Sequence, residues 1–394
     1  MQRRQANKVI FNVMTQSVYI NNISAFLPNQ PVSNEEMESI LGFAGGKPSR
    51  ARRLVLRNNG IKQRFYAIDP KTGLSTHTAA QLAAEAIREL EDDELRLNKI
   101  SCLVASSSNP DQIVPNHAVM VHGELGIKEL EAVSTSGICL CGVTALKYAY
   151  MCVASGEHKN VVASASERTS GVMHARNFQS ELDNISDELE RRPELAFEKD
   201  FLRWMLSDAG GAMWLSNSPR QHGLSLKLEW IEIKSYAHEI EVCMYGGSTK
   251  VDDKLKGWSE FDGRQREQLS VFALKQDVKL LNDNIVPYLV EKALPTVIDK
   301  HQLRPSDIDY FVPHYSSQYF RDKLAAGLDR IDFHIPFEKW FTNLTTKGNT
   351  GSAAIYIMLE ELVHSNRLKK GDKILCFIPE SGRFSVAYML LTVS

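Results

Sequence analysis

Short apolar runs alternate along the chain with longer stretches in which apolar residues recur every three or four positions. Residues 100–105 and 160–165 are continuous runs of apolar or small side chains, which predict buried strands. Residues 76–94 carry a single apolar face, which predicts an amphipathic helix. The members of that face are Ala79, Leu82, Ala83, Ala86 and Leu90. Strands that alternate with helices in this way favour an α/β fold.

The second half of the chain repeats the pattern of the first. Its predicted elements are a strand at 308–312, helices at 318–326 and 352–368, and a hairpin formed by 373–378 and 384–392. The turn-rich segment 216–223 is the best boundary between the halves. We therefore divide the chain into an extension at 1–16, an N-terminal half at 17–222 and a C-terminal half at 223–394.

Two segments stand outside this alternation. Residues 1–13 precede the first strand-like run at 17–20, and we expect a disordered extension or an upstream start codon. Residues 176–204 are rich in charged side chains, which predicts an exposed helical insertion.

Size and charge narrow the classes of function. The 394 residues, 43% of them hydrophobic, are enough for two cores packed against each other. Because 46 Lys and Arg balance 48 Asp and Glu, nothing in the charge predicts a nucleic acid or an anionic membrane as partner. No apolar run approaches the roughly 20 residues that span a bilayer, so we predict a cytoplasmic protein without membrane insertion. The glycine-rich motifs that bind nucleotides are absent from the sequence.

The six cysteines form no paired framework, which favours free thiols in a reducing compartment. Cys139 and Cys141 make a single CxC motif. Without a second Cys or His pair at ligand spacing, the sequence predicts no structural zinc site and no other metal site.

Cys139 is the candidate nucleophile. Small residues precede a predicted helix at 142–155, which Gly156 ends, so Cys139 lies at a helix N-terminus. Unpaired backbone N–H groups and the positive end of the helix dipole favour a thiolate there, and a thiolate attacks thioesters well. Two alternatives remain open at this point: Cys139 is a buried structural cysteine, or Cys141 is the reactive residue.

Two other polar residues lie where a site could use them. His314 follows Pro313 at the end of a predicted strand, and Asn349 lies between glycines at the start of a predicted helix. Each has an ordinary explanation, as a core histidine with satisfied hydrogen bonds or as an Asn that caps a helix. Cys, His and Asn in this chain order are more informative together.

Over residues 18–391 the chain resembles the ketoacyl-ACP synthase III group of the thiolase superfamily. The segments that carry the resemblance are 60–64, 104–115, 137–156, 206–212, 312–314 and 348–350. The resemblance implies a five-layered αβαβα fold with two pseudo-equivalent halves and a homodimer. It also implies acyl substrates carried on phosphopantetheine, on an acyl carrier protein or coenzyme A, and no further cofactor.

The resemblance assigns roles to individual residues. Cys139 would be acylated, and His314 and Asn349 would stabilise the enolate of the second substrate and its thioester oxygen. The N–H groups of Cys139 and Arg383 would form the oxyanion hole. The family normally has glycine at the position of Arg383, so this side chain has to point away from the site.

The substrate entrance departs from the family pattern. Leu54 stands where many members carry a tryptophan that stacks on the adenine of coenzyme A, which favours carrier-protein substrates. Arg50, Arg52, Arg53 and Arg57 would suit an acidic carrier protein or the phosphate of phosphopantetheine. A solvated helix face is the alternative explanation of these arginines.

Glu167 matches an acidic position at a strand end near the active site of related condensing enzymes. We hypothesise that Glu167 handles a proton during ring closure. A structural carboxylate outside the reacting centre is the alternative.

Within this group, several segments of the chain look like the DarB-type subgroup, which makes precursors of dialkylresorcinols and cyclohexanediones in bacteria. The segments concerned are 22–28, 48–53, 56–62, 64–69 and 379–384. The subgroup implies condensation of a β-ketoacyl thioester with a second, often α,β-unsaturated, acyl thioester and closure to a 2,5-disubstituted cyclohexane-1,3-dione. The alternatives are a ketoacyl synthase that extends an acyl chain with malonyl carrier protein, and a non-catalytic partner subunit.

Overall fold

The computed structural model describes residues 16–43, 46, 48–49, 52–178, 202–252 and 254–394. The strands are β1 (Tyr19–Phe26), β2 (Val32–Ser33), β3 (Gln63–Arg64), β4 (Cys102–Ser107), β5 (Glu131–Ser136), β6 (Val161–Glu167), β7 (Ala209–Ser216), β8 (Leu226–Ser235), β9 (Met244–Tyr245), β10 (Ser248–Val251), β11 (Lys254–Gly257), β12 (Lys275–Gln276), β13 (Tyr310–Pro313), β14 (Lys373–Glu380) and β15 (Ser385–Val393).

The α-helices of the described residues are α1 (Met37–Leu41), α2 (Arg52–Asn59), α3 (Ala79–Arg88), α4 (His117–Leu125), α5 (Cys141–Ser155), α6 (Thr169–Met173), α7 (Gly263–Gln268), α8 (Val278–Val286), α9 (Ala293–His301), α10 (Arg321–Arg330), α11 (Leu344–Lys347) and α12 (Ala354–His364). A π-helical segment, Pro287–Lys292, joins α8 to α9. No helix in the described ranges is long and apolar enough to cross a membrane.

The main sheet contains the same arrangement of strands twice. Its order is β13-β14-β15-β8-β1-β7-β6-β4-β5, and β1 meets β8 through only two residue pairs. From β1 outward the neighbours are antiparallel, antiparallel, parallel and parallel. From β8 outward they follow the same sequence, ending in a parallel bridge between Phe311 and Trp340. The two halves are therefore pseudo-equivalent.

Three apolar clusters separate the layers. The central cluster joins residues of α5 and α12, such as Leu146 and Leu359, with residues from both halves of the sheet, such as Val104 and Met389. A second cluster packs α3 and α4 on the N-terminal half, and a third packs α8, α9 and α10 on the C-terminal half. The order helix, sheet, helix, sheet, helix confirms the predicted five-layered αβαβα fold.

Most predicted elements lie close to the observed ones. The helix predicted at 142–155 is α5, and Gly156 ends it with a positive φ of 79°. The final pair is an antiparallel hairpin of β14 and β15, as predicted. The helix predicted at 76–94 was drawn too long, because Thr78 caps α3 through a capping box with Gln81 and the helix ends at Arg88.

The predicted segment boundaries fall in different parts of the structure. The division at 222/223 lies in the connection between β7 and β8, and the three-part division of the chain stays a prediction. Of the extension at 1–16, residues 1–15 lie outside the described ranges. The same holds for residues 179–201 of the predicted insertion, and its end was wrongly expected to be exposed, because Leu202, Arg203 and Trp204 are buried.

The start of α5 packs closely against the 3-10 turn Gly351–Ala353, which leads into α12. A β-carbon added at Gly142 in α5 would lie 2.2 Å from the carbonyl oxygen of Ser352, and the Tyr356 hydroxyl donates to the Gly142 carbonyl oxygen at 2.9 Å. This contact places the start of α5 beside the start of α12.

We expect Gly142→Ala to lower the free energy of unfolding by about 1–3 kcal/mol, because a backbone carbonyl cannot move aside as a flexible side chain can. The measurement is chemical unfolding of the purified protein. Gly123→Ala is the matched control, since Gly123 also lies in a helix and nothing lies within 4 Å of an added β-carbon there. Equal unfolding midpoints for Gly142→Ala and Gly123→Ala would contradict the close contact between Gly142 and the Ser352 carbonyl oxygen.

Candidate active site

Three polar residues reach the junction of the two halves from different elements. Cys139 lies just before α5, Asn349 lies just before the 3-10 turn that leads into α12, and His314 directly follows β13. The close contact between α5 and α12 brings the first two segments together. Sites in α/β folds lie at the carboxyl ends of parallel strands, and β13, parallel to β14, delivers His314 in that way.

Cys139 and His314 line the same cavity. Most of the lining is apolar and comes from α8, the π-helical segment, α10 and β14. The lining residues are Cys139, Leu281, Ile285, Val286, Val290, His314, Tyr315, Ser316, Phe320, Leu324, Phe377, Pro379 and Ser381. An apolar cavity whose lining includes a thiol and an imidazole has the chemistry to hold an acyl chain beside those two groups.

The state of the Cys139 thiol differs from the sequence prediction. The helix end was expected to favour a thiolate, but burial raises the pKa of the Cys139 thiol well above its ordinary value, and the charges of Glu380 and Glu167 raise it further. Cys139 keeps partial exposure because it faces the cavity. This environment therefore favours the neutral thiol over the thiolate.

Cys141, the rival nucleophile, is the first residue of α5 and is almost fully buried. Its thiol lies beside Ser352, and it is not part of the cavity lining. The structure thus separates the two cysteines of the CxC motif: one faces the cavity and the other packs between the central helices.

His314 is 5% exposed and neutral at physiological pH. Burial lowers its pKa to about 4, and its backbone N–H donates to the Phe377 carbonyl oxygen at 2.8 Å. A neutral imidazole can donate one hydrogen bond and accept another, so it can stabilise a developing oxyanion without carrying a charge.

Asn349 is held on both sides of its backbone. Its N–H donates to the Met205 carbonyl oxygen at 2.9 Å, and its own carbonyl oxygen accepts the N–H of Ser207 at 2.9 Å. Its side-chain oxygen accepts the N–H of Gly351 at 3.0 Å. Because this bond orients the amide, the NH₂ group is the end left to donate to another acceptor. Asn349 is buried and does not belong to the cavity lining, so the structure places only Cys139 and His314 there.

Glu380 is a residue of this site that the sequence analysis missed. One of its carboxylate oxygens accepts the N–H of Ile138 at 3.0 Å and the N–H of Leu140 at 3.1 Å, on either side of Cys139. Burial raises the pKa of Glu380 itself. Only the position of Glu380 in the predicted turn pointed to it, and nothing in the sequence paired that turn with the Cys139 segment.

We expect Glu380→Gln to lower the pKa of the Cys139 thiol, because it removes a nearby negative charge while keeping an oxygen that accepts hydrogen bonds. The rate of Cys139 alkylation by iodoacetamide, followed against pH, should then reach its midpoint at a lower pH. Glu380→Asp keeps the charge but shortens the side chain. It therefore tests whether the hydrogen bonds from the Ile138 and Leu140 N–H groups affect the thiol pKa apart from the charge. An unchanged midpoint in Glu380→Gln would refute the electrostatic effect.

Comparisons with known proteins give a consistent result. Residues 298–383 match the family described as the C-terminal part of 3-oxoacyl acyl-carrier-protein synthase III. The chain is 24% identical over 352 residues to β-ketoacyl acyl-carrier-protein synthase III of Clostridium perfringens, covering 89% of this chain and 91% of the relative. The Aquifex aeolicus protein of the same description is 24% identical over 353 residues, with the same coverage of both chains.

Two solved structures have the same fold. The tetronic acid condensing enzyme AbyA1 superposes with a TM-score of 0.74 at 19% identity, covering 95% of this chain and 99% of its own. Xanthomonas campestris OleA, crystallised with lauric acid and lauroyl-CoA, superposes with a TM-score of 0.72 at 19% identity, covering 96% and 99%. The chain has the fold of these condensing enzymes, and its sequence is similar to ketoacyl synthases III over most of its length. It is an acyltransferase that forms carbon–carbon bonds.

The predicted oxyanion donor of this condensing enzyme lies in a fixed turn. The Arg383 side chain is exposed, and its Nε donates to the Ile240 carbonyl oxygen at 3.1 Å. On either side, the carbonyl oxygens of Gly382 and Phe384 accept hydrogen bonds from backbone N–H groups of the 236–244 segment, whereas the Arg383 N–H donates to no group among the described residues. Buried Phe384 has a φ of 53°, an unusual conformation for a bulky residue, and the packed turn maintains it.

Glu167 is fully enclosed in the condensing enzyme. It accepts hydrogen bonds from the backbone N–H and the hydroxyl of Ser108, and from the same two groups of Ser352. Burial raises the pKa of Glu167, and these bonds oppose that effect. Both carboxylate oxygens are occupied, so this geometry favours the structural alternative, in which Glu167 links β4 to the start of α12.

The basic residues at the predicted entrance do not form one group. Arg52 is partly buried and pairs with Glu38 at 3.0 Å, whereas Arg53 and Arg57 are exposed on α2. Leu54 is 45% exposed on the same helix. Arg50 lies outside the described residues. Arg53 and Arg57 are therefore the members of the set that remain available to a partner.

Proposed function

We propose that this enzyme joins a β-ketoacyl thioester to an α,β-unsaturated acyl thioester and closes a 2,5-disubstituted cyclohexane-1,3-dione, a precursor of dialkylresorcinol- or stilbene-type metabolites. The observation that carries the condensation is that Cys139 and His314 line the same apolar cavity. The DarB-like segments of the sequence support the ring closure.

The first step is acyl transfer. The unsaturated thioester loses its carrier thiol as Cys139 becomes acylated, and the Cys139 proton leaves with that thiol. The N–H groups of Cys139 and Arg383 stabilise the oxyanion formed at the thioester carbonyl. The neutral imidazole of His314 and the amide of Asn349 then hold the β-ketoacyl partner as its enolate.

The substitution pattern of the product fixes which atoms react. The γ-carbon of the β-ketoacyl partner loses a proton and attacks the acyl carbonyl, and the Cys139 sulfur leaves as a thiolate that takes up this proton. The α-carbon then adds to the β-carbon of the unsaturated chain and closes a six-membered ring, and the proton lost from the α-carbon ends on the carbon next to the new ketone. One substituent thus lies between the two ketones and the other opposite it. Hydrolysis of the remaining thioester by water and loss of CO₂ complete the dione.

The test is product analysis by mass spectrometry with both donor pairs. With a β-ketoacyl and an α,β-unsaturated carrier thioester, we expect a cyclic dione of the combined carbon skeleton. With an acyl starter and malonyl carrier protein, we expect no extension product. A linear product alone would favour the plain ketoacyl synthase, whose site would be the same and whose second substrate would differ.

We also propose that carrier-protein substrates dock at Arg53 and Arg57. Reversing both charges to glutamate should lower kcat/KM for carrier-bound substrates by about tenfold, because exposed charges steer association and contribute little each. N-acetylcysteamine thioesters have no carrier protein, so with these substrates the same variant should have the kcat/KM of the wild type. Arg96→Glu, at an exposed arginine near the opposite end of the sheet, is the control. An equal loss with both substrate types would exclude docking as the cause.

We propose a homodimer assembled through β5. In the described residues this strand ends the sheet and pairs only with β4, so its outer edge can accept another strand. Exposed Ile113 and Val114 lie in the loop between β4 and α4 of the same half. Light scattering during gel filtration should give twice the mass of the 394-residue chain. A monomer that retains full activity would refute the proposal.

A further inference from the structure

A second cluster of reactive side chains lies at the other end of α5 from Cys139. Its members are Cys102, the first residue of β4; Glu131, the first residue of β5; Cys152, in the last turn of α5; and His158, just before β6. Cys152 lies thirteen positions after Cys139 along a mostly helical stretch, a distance of about 20 Å at 1.5 Å per residue. The cluster is therefore separate from the condensing site.

The cluster is compact. One ligand atom from each of Cys102, Glu131 and His158 lies within 4.8 Å of the other two. Cys102 and Glu131 are direct register partners on neighbouring parallel strands, and the His158 Nε2 lies 2.8 Å from a Glu131 carboxylate oxygen. The Cys152 thiol is close enough to that of Cys102 to raise the pKa of Cys102, but its sulfur is not within 4.8 Å of all three of these ligand atoms. The backbone N–H of His158 donates to the Cys152 carbonyl oxygen at 3.3 Å, which ties the last two segments together.

This donor set matches the ligands of one class of metal ion. Two thiols, an imidazole and a carboxylate are the groups that bind Zn²⁺, at about 2.3 Å for sulfur and about 2.0–2.2 Å for nitrogen and oxygen. Such bonds place tetrahedral ligands between 3 and 4 Å apart, roughly. We propose that Cys102, Glu131 and His158 bind a thiophilic divalent cation, with Zn²⁺ as the best fit, and that the Cys152 sulfur moves closer to become the fourth ligand of a structural site that holds β4, β5 and the end of α5 together.

The surroundings supply what a metal site needs beyond its ligands. The Tyr148 hydroxyl donates to the second carboxylate oxygen of Glu131 at 2.7 Å and so orients the carboxylate. Cys102 and Cys152 are buried, the His158 side chain is 15% exposed and that of Glu131 is 40% exposed. A cation can therefore enter from the solvent side of Glu131 and reach buried sulfur. Binding displaces the two thiol protons to solvent and involves no change of oxidation state.

A simpler explanation would separate the cluster into two cysteines that pack in the core and one surface His–Glu pair. The chain provides a reference for that explanation. His301 and Glu232 also form a pair, at 2.9 Å, with side-chain exposures of 18% and 17%, and no cysteine is grouped with them among the described residues. A metal site requires the His158 pair to behave differently from the His301 pair.

The test is a Co²⁺ titration of the full-length Cys139→Ser protein, which removes the accessible active-site thiol as a competing ligand. We expect one Co²⁺ per chain, with a thiolate-to-cobalt charge-transfer band and the intense visible bands of tetrahedral cobalt. Zn²⁺ should displace the cobalt and remove both sets of bands, and it should raise the unfolding temperature of the metal-free protein.

Variants distinguish the members of the site. Cys152→Ser should lower the intensity of the charge-transfer band by about half, because one of two thiolates is lost. His158→Gln and Glu131→Gln, at partly exposed positions that do not threaten folding, should each weaken Co²⁺ binding by at least about tenfold. Two control variants should bind Co²⁺ as the parent protein does. These are His301→Gln and Cys376→Ser, which replaces a buried cysteine outside the cluster.

Three results would overturn the assignment. These are cobalt binding without a thiolate band, equal effects of His158→Gln and His301→Gln, and a Cys102–Cys152 disulfide in protein purified without oxidant. Condensing activity is not the readout in any arm, so failure of the metal site and failure of the proposed condensation are independent outcomes.

Discussion

Replacing Cys139 with alanine is expected to abolish the acyl-enzyme and to lower the rate of product formation by at least about 10³-fold, because removing a nucleophile leaves only binding and oxyanion stabilisation. Cys139 is the cysteine that faces the cavity. Intact-protein mass spectrometry after brief exposure to an acyl thioester should show the added acyl mass in the wild type and none in the variant.

Cys141→Ala is the matched control for this experiment. It removes a thiol two residues away that is buried against Ser352. It should retain the acyl adduct and most of the product formation, with a lower unfolding midpoint from the small cavity that it creates. Acylation that persists in Cys139→Ala and disappears in Cys141→Ala would reverse the assignment of the nucleophile.

Replacing His314 with alanine should lower kcat for condensation by about 10²–10³-fold, the usual cost of one lost donor to a developing oxyanion. Acylation of Cys139 should continue in this variant, because in the proposed mechanism the backbone N–H groups of Cys139 and Arg383 stabilise the oxyanion of that step. A burst of acyl-enzyme without turnover is therefore the expected signature. Loss of both acylation and condensation would instead make His314 the base for the first step.

The pH dependence of the condensation rate and of stability provides a second test of the state of His314. Burial holds its pKa near 4, so the imidazole is neutral at all pH values above that, and the condensation rate should not change through the ordinary histidine range near 6.5. In the unfolded chain the pKa is near 6.5. Because the folded state favours the neutral ring, His314 leaves the free energy of unfolding unchanged above pH 6.5. As the pH falls from 6.5 toward 4, protonation of the unfolded chain progressively lowers that free energy.

His117 separates this effect on stability from catalysis. It is also buried, and burial also lowers its pKa to about 4, but its ring contacts Ser166 and does not line the cavity. His117→Gln and His314→Gln should each reduce the loss of stability in acid. Only His314→Gln should lower the condensation rate. A rate that falls between pH 7 and 5 in the His117→Gln protein would show that His314 titrates normally.

Helix α5 was predicted well because its signals are local. Small residues before it, an apolar face along it and Gly156 after it act within a few positions of each other, and the predicted start differs from the observed one by a single residue. The prediction for α3 was too long because it followed the apolar face, which continues past Arg88, where the helix ends. Local patterns fix element type better than element ends.

The state of Cys139 could not be read from such patterns. The helix end predicted a more acidic thiol, and burial beside Glu380 and Glu167 has the opposite effect. Those carboxylates come from β14 and β6, far from Cys139 in the chain. Desolvation and charge act through space, so they depend on which segments the fold brings together.

By itself the sequence determined the α/β class, the repeated halves and the chemistry of the candidate residues, because apolar periodicity and residue type are properties of short stretches. Only the tertiary structure decided that Cys139 rather than Cys141 faces the cavity, that Glu167 is enclosed by Ser108 and Ser352, and that Cys102 and Cys152 meet His158. Each of these outcomes depends on contacts between elements distant in the chain. Such contacts are set by how the layers pack, which no local spacing encodes.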